Sequence, residues 1–180
     1  MTETRPKREV WLEAMAAYVL EHGLNTASLR PLAKAAGTSD RMLIYHFGSK
    51  DGLVAELLTY LVGNLTVMLS EALPRRRFET RAECVSAVVD LLRLPAARGF
   101  MRVWLDIISA AAQGQDLHRA TGERIVDGFV DWLEARVPAS EADPRGCAMT
   151  LITLIDGILV LDAVGQTKMA DAVIADLAAE

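Results

Sequence analysis

The sequence predicts an all-α protein of about nine helices, with an N-terminal three-helix helix-turn-helix domain followed by a C-terminal helical domain. Apolar residues recur at spacings of three and four along most of the chain, and no segment shows the two-residue alternation that is typical of strands. Glycines at 23, 37 and 114 and prolines at 74, 95 and 138 separate the helical segments. The composition, 52% hydrophobic and 24% charged, is that of a folded globular chain.

The first predicted helix runs from about residue 6 to 22, where apolar residues form one stripe, and Gly23 ends it. Arg5, Lys7 and Arg8 lie at its start. These cations fit either an arm along a DNA backbone or a plain solvated terminus. The sequence leaves both alternatives open.

Residues 28 to 53 begin with two short helices joined by a tight turn. Ser28 is a favourable N-cap for the first of them, and Gly37 supplies the left-handed residue that ends it. Ser39 then caps a second helix over about residues 40 to 47. This arrangement is typical of a helix-turn-helix motif, although small helical hairpins also occur in proteins that do not bind DNA.

The second short helix presents the chemistry that DNA contact requires. A rod of about nine residues is about 13 Å long, short enough for a major groove about 12 Å wide. Arg41 can form a forked pair of hydrogen bonds with guanine, and Tyr45 and His46 can reach phosphates or base edges. The predicted DNA-binding residues are Ser28, Arg30, Lys34, Thr38, Ser39, Arg41, Met42, Tyr45, His46 and Lys50.

This segment resembles the DNA-binding domain of the tetracycline-repressor (TetR) family of bacterial transcriptional regulators. The family run is a glycine, a small turn with serine, a recognition helix ending in an aromatic-His-Phe cluster, and then Ser-Lys-acid-x-Leu. The matching residues are Gly37, Ser39, Leu43, Tyr45-His46-Phe47, Ser49-Lys50-Asp51 and Leu53. The resemblance covers about residues 8 to 58. It implies a DNA-binding domain at 1–52 and an effector-binding and dimerisation domain at 53–180.

Two places in the chain differ from the family pattern. Arg41 and Met42 stand where the family commonly has a glycine and a small residue early in the recognition helix. Ile44 stands where the family commonly has a tyrosine, and Tyr45 follows it. The base preference of this chain therefore cannot be copied from the family.

The net charge of −5 is unusual for a DNA-binding protein, but it is unevenly distributed. Residues 1 to 55 hold seven Lys and Arg against six Asp and Glu, a net charge of +1, which leaves −6 for the remainder. We therefore expect DNA affinity to come from about four to six phosphate contacts per subunit and to depend strongly on salt.

Other features of the sequence indicate a soluble, cytoplasmic protein that is not an enzyme and has no cofactor, metal or membrane partner. Cys84 and Cys147 stand far apart in apolar surroundings, as reduced thiols do. The N-terminus is charged, and Asp156 and Asp162 break the longest apolar runs short of a membrane span. The three histidines lie on different elements, and the sequence has no phosphate loop, paired-cysteine motif or nucleophile elbow.

Further helices are expected at about 49–73, 78–94, 96–113, 116–137, 143–164 and 167–179. The stretch 151–164 is hydrophobic nearly all round, so it must be covered on two sides. We expect the chain's own core on one side and a second subunit on the other, in a four-helix bundle; packing wholly within one monomer is the alternative. The predicted dimer interface comprises Ile152, Ile155, Leu159, Val160, Met169, Val173, Ile174 and Leu177.

The middle helices are expected to enclose a largely apolar effector pocket, as regulators of the family generally do. Asn64 falls on the same face of the long helix as Leu61 and would point inward, where its amide needs a partner. The predicted pocket residues are Leu61, Asn64, Met68, Met101, Trp104, Phe129, Trp132, Met149 and Thr153. Alternatively, these residues form an ordinary core, and Asp106 pairs with Arg102 one turn back.

The sequence thus predicts a ligand-responsive transcriptional regulator; we expect a repressor, although the sequence alone does not distinguish a repressor from an activator. It would bind a palindromic operator in double-stranded DNA as a homodimer and be released by a small, largely apolar effector that tilts the 49–73 helix. The alternative is a helical ligand-binding or adaptor protein of the same fold with weak or lost operator binding.

Overall fold

The computed structural model describes residues 6–73 and 77–179. Within these ranges the protein contains nine α-helices and no strand, which confirms the all-α prediction. The helices are α1 (Lys7–His22), α2 (Leu29–Ala35), α3 (Asp40–Phe47), α4 (Lys50–Ala72), α5 (Arg81–Leu92), α6 (Arg98–Ala112), α7 (Asp116–Glu134), α8 (Pro144–Ala163) and α9 (Thr167–Leu177). Two short 3-10 turns, Leu24–Thr26 and Pro95–Ala97, precede α2 and α6.

The chain folds into two compact units. The first comprises Met1–Thr66 and Ala96–Glu123, and the second comprises Val67–Pro95 and Arg124–Glu180. Two helices, α4 and α7, therefore contribute residues to both units. The first unit groups α6 with the helix-turn-helix, so it is larger than the predicted DNA-binding domain 1–52, whose boundary stays a prediction.

The core of the first unit forms around the apolar stripe of α1. Met15 and Val19, one turn apart on that stripe, are fully buried. α1 contacts α2 and α6, and α2 contacts α3. Leu32 of α2 and Leu43 of α3 are also fully buried. The two short helices are therefore held by long-range packing rather than by their own length, which is too small for independent stability.

The second unit is organised by contacts among α5, α8 and α9. Each of the first two helices has a side-chain cap at its start: the Thr80 hydroxyl accepts a hydrogen bond from the Glu83 amide at 3.0 Å, and the Asp143 carboxylate accepts one from the Gly146 amide at 2.9 Å. On α8, Leu151, Ile155 and Ile158 are fully buried. One face of this apolar helix is thus occupied within the single chain.

Helices α4 and α8 are long and apolar enough to cross a membrane, judged by length and composition alone. The expectation that the apolar runs are too short for a span is therefore wrong for α8, because its two aspartates leave a sufficient average hydropathy. A buried helix of a soluble protein meets the same criterion. Asp162 is ion-paired with Arg93 at 2.7 Å, which ties the end of α8 to a polar partner in the second unit.

Candidate nucleic-acid interface

The turn between α2 and α3 follows from local chemistry. Gly37 has φ +64°, its amide donates to the carbonyl of Lys34 at 3.2 Å, and the amide of Thr38 donates to the carbonyl of Ala33 at 2.9 Å. These two bonds form a Schellman motif, which needs a left-handed residue at this position. Ser39 then caps α3 by accepting from the Met42 amide at 3.3 Å. The predicted turn is therefore present, with the predicted cap.

Ser28 behaves differently from the prediction. It occupies the N-cap position of α2 with an extended backbone, but its hydroxyl makes no capping hydrogen bond. Pro31 is the third residue of that helix, where a missing amide proton costs nothing. The start of α2 is therefore favoured by the extended backbone at Ser28 and by Pro31, and not by a hydrogen bond from the serine hydroxyl.

The recognition helix α3 has one buried face and one solvent face. Leu43 and Phe47, one turn apart, are buried and anchor it. On the other side Arg41 is exposed, Met42 is 40% exposed and Tyr45 is 79% exposed. These three side chains lie on one side of α3 and together form an exposed surface of mixed chemistry.

His46 is half-buried at the end of α3 between two aromatic rings. Its ring centroid lies 5.0 Å from that of Trp11 and 5.2 Å from that of Tyr45, both in edge-to-face geometry. Such pairs stabilise a defined ring orientation. Packing from α1 therefore holds the C-terminal turn of the recognition helix, a role for Trp11 that its position in a core stripe did not reveal.

Arg8 is occupied inside the first unit rather than extended as an arm. Its guanidinium pairs with the Glu56 carboxylate of α4 and lies over the Phe47 ring, 4.7 Å from the ring centroid. Lys7 is exposed at the first position of α1, and Arg5 lies outside the described residues. The arm hypothesis therefore does not apply to Arg8.

The start of α4 continues the same surface. Lys50 is its first residue and is exposed, and the Ser49 hydroxyl caps the helix by accepting from the Gly52 amide at 2.9 Å. A Cβ on Gly52 would lie 2.6 Å from the carbonyl oxygen of Phe47, so α4 can begin this close to α3 only with glycine there. Among the other predicted DNA-binding residues, Ser28, Arg30, Lys34 and Ser39 are exposed and Thr38 is half-buried.

The predicted dimer interface divides into two groups. Ile155 and Leu159 are buried within the single chain, so their assignment to the interface is wrong; α8 uses that face against α5 and α9. Val160 is exposed on the other side of α8, and Ile152 is half-buried. On α9, Met169 and Val173 are exposed, and Ile174 and Leu177 are half-buried. Periodicity could not tell which face of the helix each apolar residue occupies, and the remaining interface residues stay a prediction.

The predicted pocket residues are distributed over both units. Leu61, Asn64, Met101 and Trp104 belong to the first, and Met68, Phe129, Trp132, Met149 and Thr153 to the second. Asn64 is exposed, so the expectation that its amide points inward is wrong; no residue of α4 between Leu61 and Leu69 is buried. Leu61 is buried, and Met68, Met101, Trp104 and Phe129 are half-buried.

Trp132 is part of the core of the second unit. Its indole nitrogen donates to the Ser70 hydroxyl at 2.9 Å, and the Arg136 guanidinium lies over its ring at 4.0 Å from the centroid. Met149 and Thr153 lie instead on the outer face of α8, where with Gly146 they border a shallow surface depression of about 440 Å³. The structure thus brings these two predicted pocket residues together on the surface.

The cysteines are buried and unbridged. Burial raises the pKa of the Cys84 thiol to about 12, so this group is protonated and unreactive at neutral pH. Among the described residues, no three His, Cys, Asp or Glu side chains are grouped to hold a metal ion.

Comparisons with known proteins agree with this geometry. A family model described as bacterial regulatory proteins, tetR family, matches residues 12–57. The chain is 26% identical over 164 residues to the HTH-type transcriptional regulator BetI of Serratia proteamaculans, covering 87% of this chain and 81% of that protein. A transcriptional regulator from Rhodococcus sp. Rha1 superposes with a TM-score of 0.71 at 25% identity, covering 96% of each chain.

The fold is also that of the multidrug binding protein EbrR, whose structure was determined with proflavin bound; the TM-score is 0.71 at 20% identity, over 96% of this chain and 99% of that one. The relatives are transcriptional regulators and not enzymes, as expected from the sequence, and regulators of this family are soluble. The match over the helix-turn-helix and the likeness along the remainder agree on one assignment. Residues 12–57 form a DNA-binding domain of the tetR family of bacterial regulatory proteins, and the protein is a DNA-binding transcriptional regulator.

Proposed function

We propose that this protein is a cytoplasmic, homodimeric repressor that binds a palindromic operator and is released by a small, largely apolar effector. The outward face of α3 carries the proposal for DNA. Arg41, Met42 and Tyr45 are exposed there, while Leu43 and Phe47 fix the helix from behind. A helix that is anchored on one face and chemically varied on the other can enter a major groove without rearranging.

Each exposed residue of α3 suits a different part of the groove. The Arg41 guanidinium matches the two acceptors of guanine, and a bidentate pair of this kind discriminates by about 1–3 kcal/mol. The Met42 thioether can contact a thymine methyl group, and Lys50 can neutralise a phosphate. Tyr45 can stack on a sugar or donate to a phosphate. We therefore expect each half-site to contain a guanine and a neighbouring thymine.

The outer face of α8 supports the proposed dimer. Met149, Thr153 and Val160 lie on that face and are exposed. The Thr150 and Thr153 hydroxyls donate to the carbonyls one turn earlier, at 3.0 and 2.8 Å, so they present methyl groups outward. An apolar face of this kind is costly in water and suits a second copy of the same helix across a two-fold axis.

The effector part of the proposal rests on the middle of α4 and on α6. Residues 62–68 of α4 include Val62, Leu65 and Val67, yet none of them is buried. On α6, Met101 and Trp104 are half-buried. Apolar side chains that the single chain leaves incompletely covered suit a small apolar ligand. EbrR, which shares the fold, binds proflavin.

Effector binding would act through the orientation of α4, because this helix starts three residues after α3 ends. An effector that prefers a tilted α4 by about 1–3 kcal/mol would weaken DNA binding by about 5- to 150-fold. The preference is reciprocal, so operator DNA would weaken effector binding by the same factor.

Selection of binding sites from a random duplex pool tests the proposal. We expect a palindrome with half-sites about 34–36 Å apart, and an affinity that falls steeply with salt. Arg41→Ala should relax the preference at one base pair, and Lys50→Ala should weaken binding to every sequence and reduce the salt slope by about 1. Arg119→Ala removes an exposed cation on α7 and should change neither quantity.

Two other outcomes would contradict parts of the proposal. A single, non-repeated site would argue against the dimer. If no sequence is enriched even at low salt, the chain is a helical ligand-binding or adaptor protein with weak or lost operator binding, and Arg41→Ala and Lys50→Ala would then have no effect.

A further inference from the structure

The corner between α1 and α2 leaves several backbone groups without partners inside their own helix. α1 ends at His22, Gly23 reverses the chain with φ +87°, and the 3-10 turn Leu24–Thr26 follows. The last carbonyls of a helix and the first amides of the next turn have no partner along the chain. Side chains from elsewhere must satisfy them, or water must.

Two side chains of α6 form hydrogen bonds with these carbonyls and amides. The Arg102 guanidinium donates from Nη1 to the carbonyl of Glu21 at 3.0 Å and from Nη2 to that of Leu20 at 3.3 Å. One turn later, the Asp106 carboxylate accepts from the backbone amide of Leu24 at 2.8 Å and from Nδ2 of Asn25 at 2.6 Å. The cation thus meets the negative end of α1, and the anion meets the amide donors that follow it.

The backbones approach closely at the same place. A Cβ added to Gly99, one turn before Arg102, would lie 2.7 Å from the carbonyl oxygen of Leu20 and 3.0 Å from its Cβ. A Cβ added to Gly23 would lie 3.3 Å from Oδ2 of Asp106. Both glycines therefore allow α6 to contact the corner at backbone distance, and Arg102 and Asp106 hold it there.

We infer that Gly99, Arg102 and Asp106 form a clamp that sets the orientation of the helix-turn-helix. When α6 moves, α2 and α3 therefore move with it. Apolar packing alone permits small sliding movements, whereas four directional hydrogen bonds to one corner do not. The clamp joins residues 81 to 82 positions apart in sequence. This inference rests on the proposed function, because the orientation matters only if the helix-turn-helix motifs of two subunits must match the spacing of one operator.

Operators of different spacing separate a positioning role from a purely structural one. The probes are the selected palindrome, the same palindrome with one base pair inserted at or deleted from its centre, and a duplex with one half-site scrambled. For Arg102→Ala and Asp106→Ala we expect affinity for the palindrome to fall about tenfold, as it would if the competent orientation fell to a tenth of the population. The preference for the original spacing should shrink, and affinity for the single half-site should change by less than about twofold.

Two further variants sharpen the comparison. Gly99→Ala keeps both hydrogen-bonding side chains but separates α6 from α1, so it should reproduce the altered spacing profile. Arg98→Ala removes an exposed cation one turn earlier on the same helix and should behave like the wild type. If Arg102→Ala or Asp106→Ala fails to fold, Arg102→Lys and Asp106→Asn replace them, with a smaller shift in the same direction.

The outcomes distinguish the clamp from the proposed function. If the clamp variants weaken binding to all three kinds of probe by one common factor, the residues only stabilise the fold and the inference is overturned. If the wild type enriches no palindrome, the proposed function fails instead. Amide hydrogen exchange without DNA then still tests the contact: the clamp requires faster exchange in α2 and α3 for Asp106→Ala than for Arg98→Ala, and equal rates overturn it.

Discussion

Arg93 joins the three packed helices of the second unit through two carboxylates. It is the C-cap residue of α5; Nε and Nη2 donate to Asp162 of α8 at 2.7 and 3.0 Å, and Nη1 donates to Asp171 of α9 at 2.8 Å. The side chain of Asp162 is 17% exposed and that of Asp171 is 56% exposed. The two ion pairs therefore differ in solvation although they share one guanidinium.

This difference sets the magnitudes that we predict. Arg93→Met keeps the aliphatic stem and leaves Asp162 nearly buried without its two charge-assisted hydrogen bonds. This loss should lower the free energy of unfolding by about 2 kcal/mol. The cost is smaller than for a fully buried ion pair, because some water still reaches the carboxylate. Asp162→Asn should cost about the same, whereas Asp171→Asn removes one exposed bond and should cost about 0.5 kcal/mol or less.

The assay is equilibrium urea unfolding at one fixed protomer concentration, since a dimer gains apparent stability with concentration. Arg119→Met is the matched control, because Arg119 pairs only on the surface with Asp116 and its loss should fall within about 0.5 kcal/mol. If Asp162→Asn and Asp171→Asn cost the same, the reasoning from solvation is wrong.

Acidification gives a second check. The Arg93 guanidinium, by hydrogen bonding, holds the pKa of Asp162 below its usual value. A carboxyl with a lowered pKa contributes its full stabilisation above the unfolded-state pKa, about 3.9, and loses it as pH falls through the folded-state pKa. The stability gap between wild type and Arg93→Met should therefore be constant near neutrality and close below about pH 4. A gap that persists unchanged in acid would refute the assignment.

Three further predictions concern single side chains. Val160→Arg places a charge on the outer face of α8 and should yield monomers by analytical ultracentrifugation; a dimer that survives would move the interface elsewhere. Ser39→Ala removes the cap of α3 and should cost about 1 kcal/mol in urea unfolding, with weaker operator binding. Trp132→Phe removes the donor to Ser70 and should cost about 1 kcal/mol; no loss would mean that the indole N–H has no structural role.

The parts of the fold that depend on neighbouring residues could be predicted from the sequence. Gly37 and Ser39 determine the turn within a few residues, because one adopts a positive φ and the other accepts a nearby amide. The outward positions of Arg41 and Tyr45 then follow from helical spacing relative to Leu43. These are the features on which the DNA-binding surface depends.

Contacts between distant residues could not be predicted in this way. The alternative to the effector pocket pairs Asp106 with Arg102 in its own helix, whereas both side chains bond the corner after α1. Asn64 shares a helical face with Leu61 and is nevertheless exposed, because spacing gives a direction and does not say whether another element covers it. For the same reason the helical spacing wrongly assigns Ile155 to the dimer interface, whereas this side chain is buried within the single chain.

Helix α4 is an uninterrupted rod of 23 residues, about 34 Å long, with Lys50 as its first residue. A rod of this length converts a small angle at one end into a large displacement at the other. Rotation by about 6° moves the far end by about 3.5 Å, close to the rise of one base pair in B-DNA. In the proposed mechanism, an effector that tilts α4 by this angle would therefore shift Lys50 by a whole base-pair step.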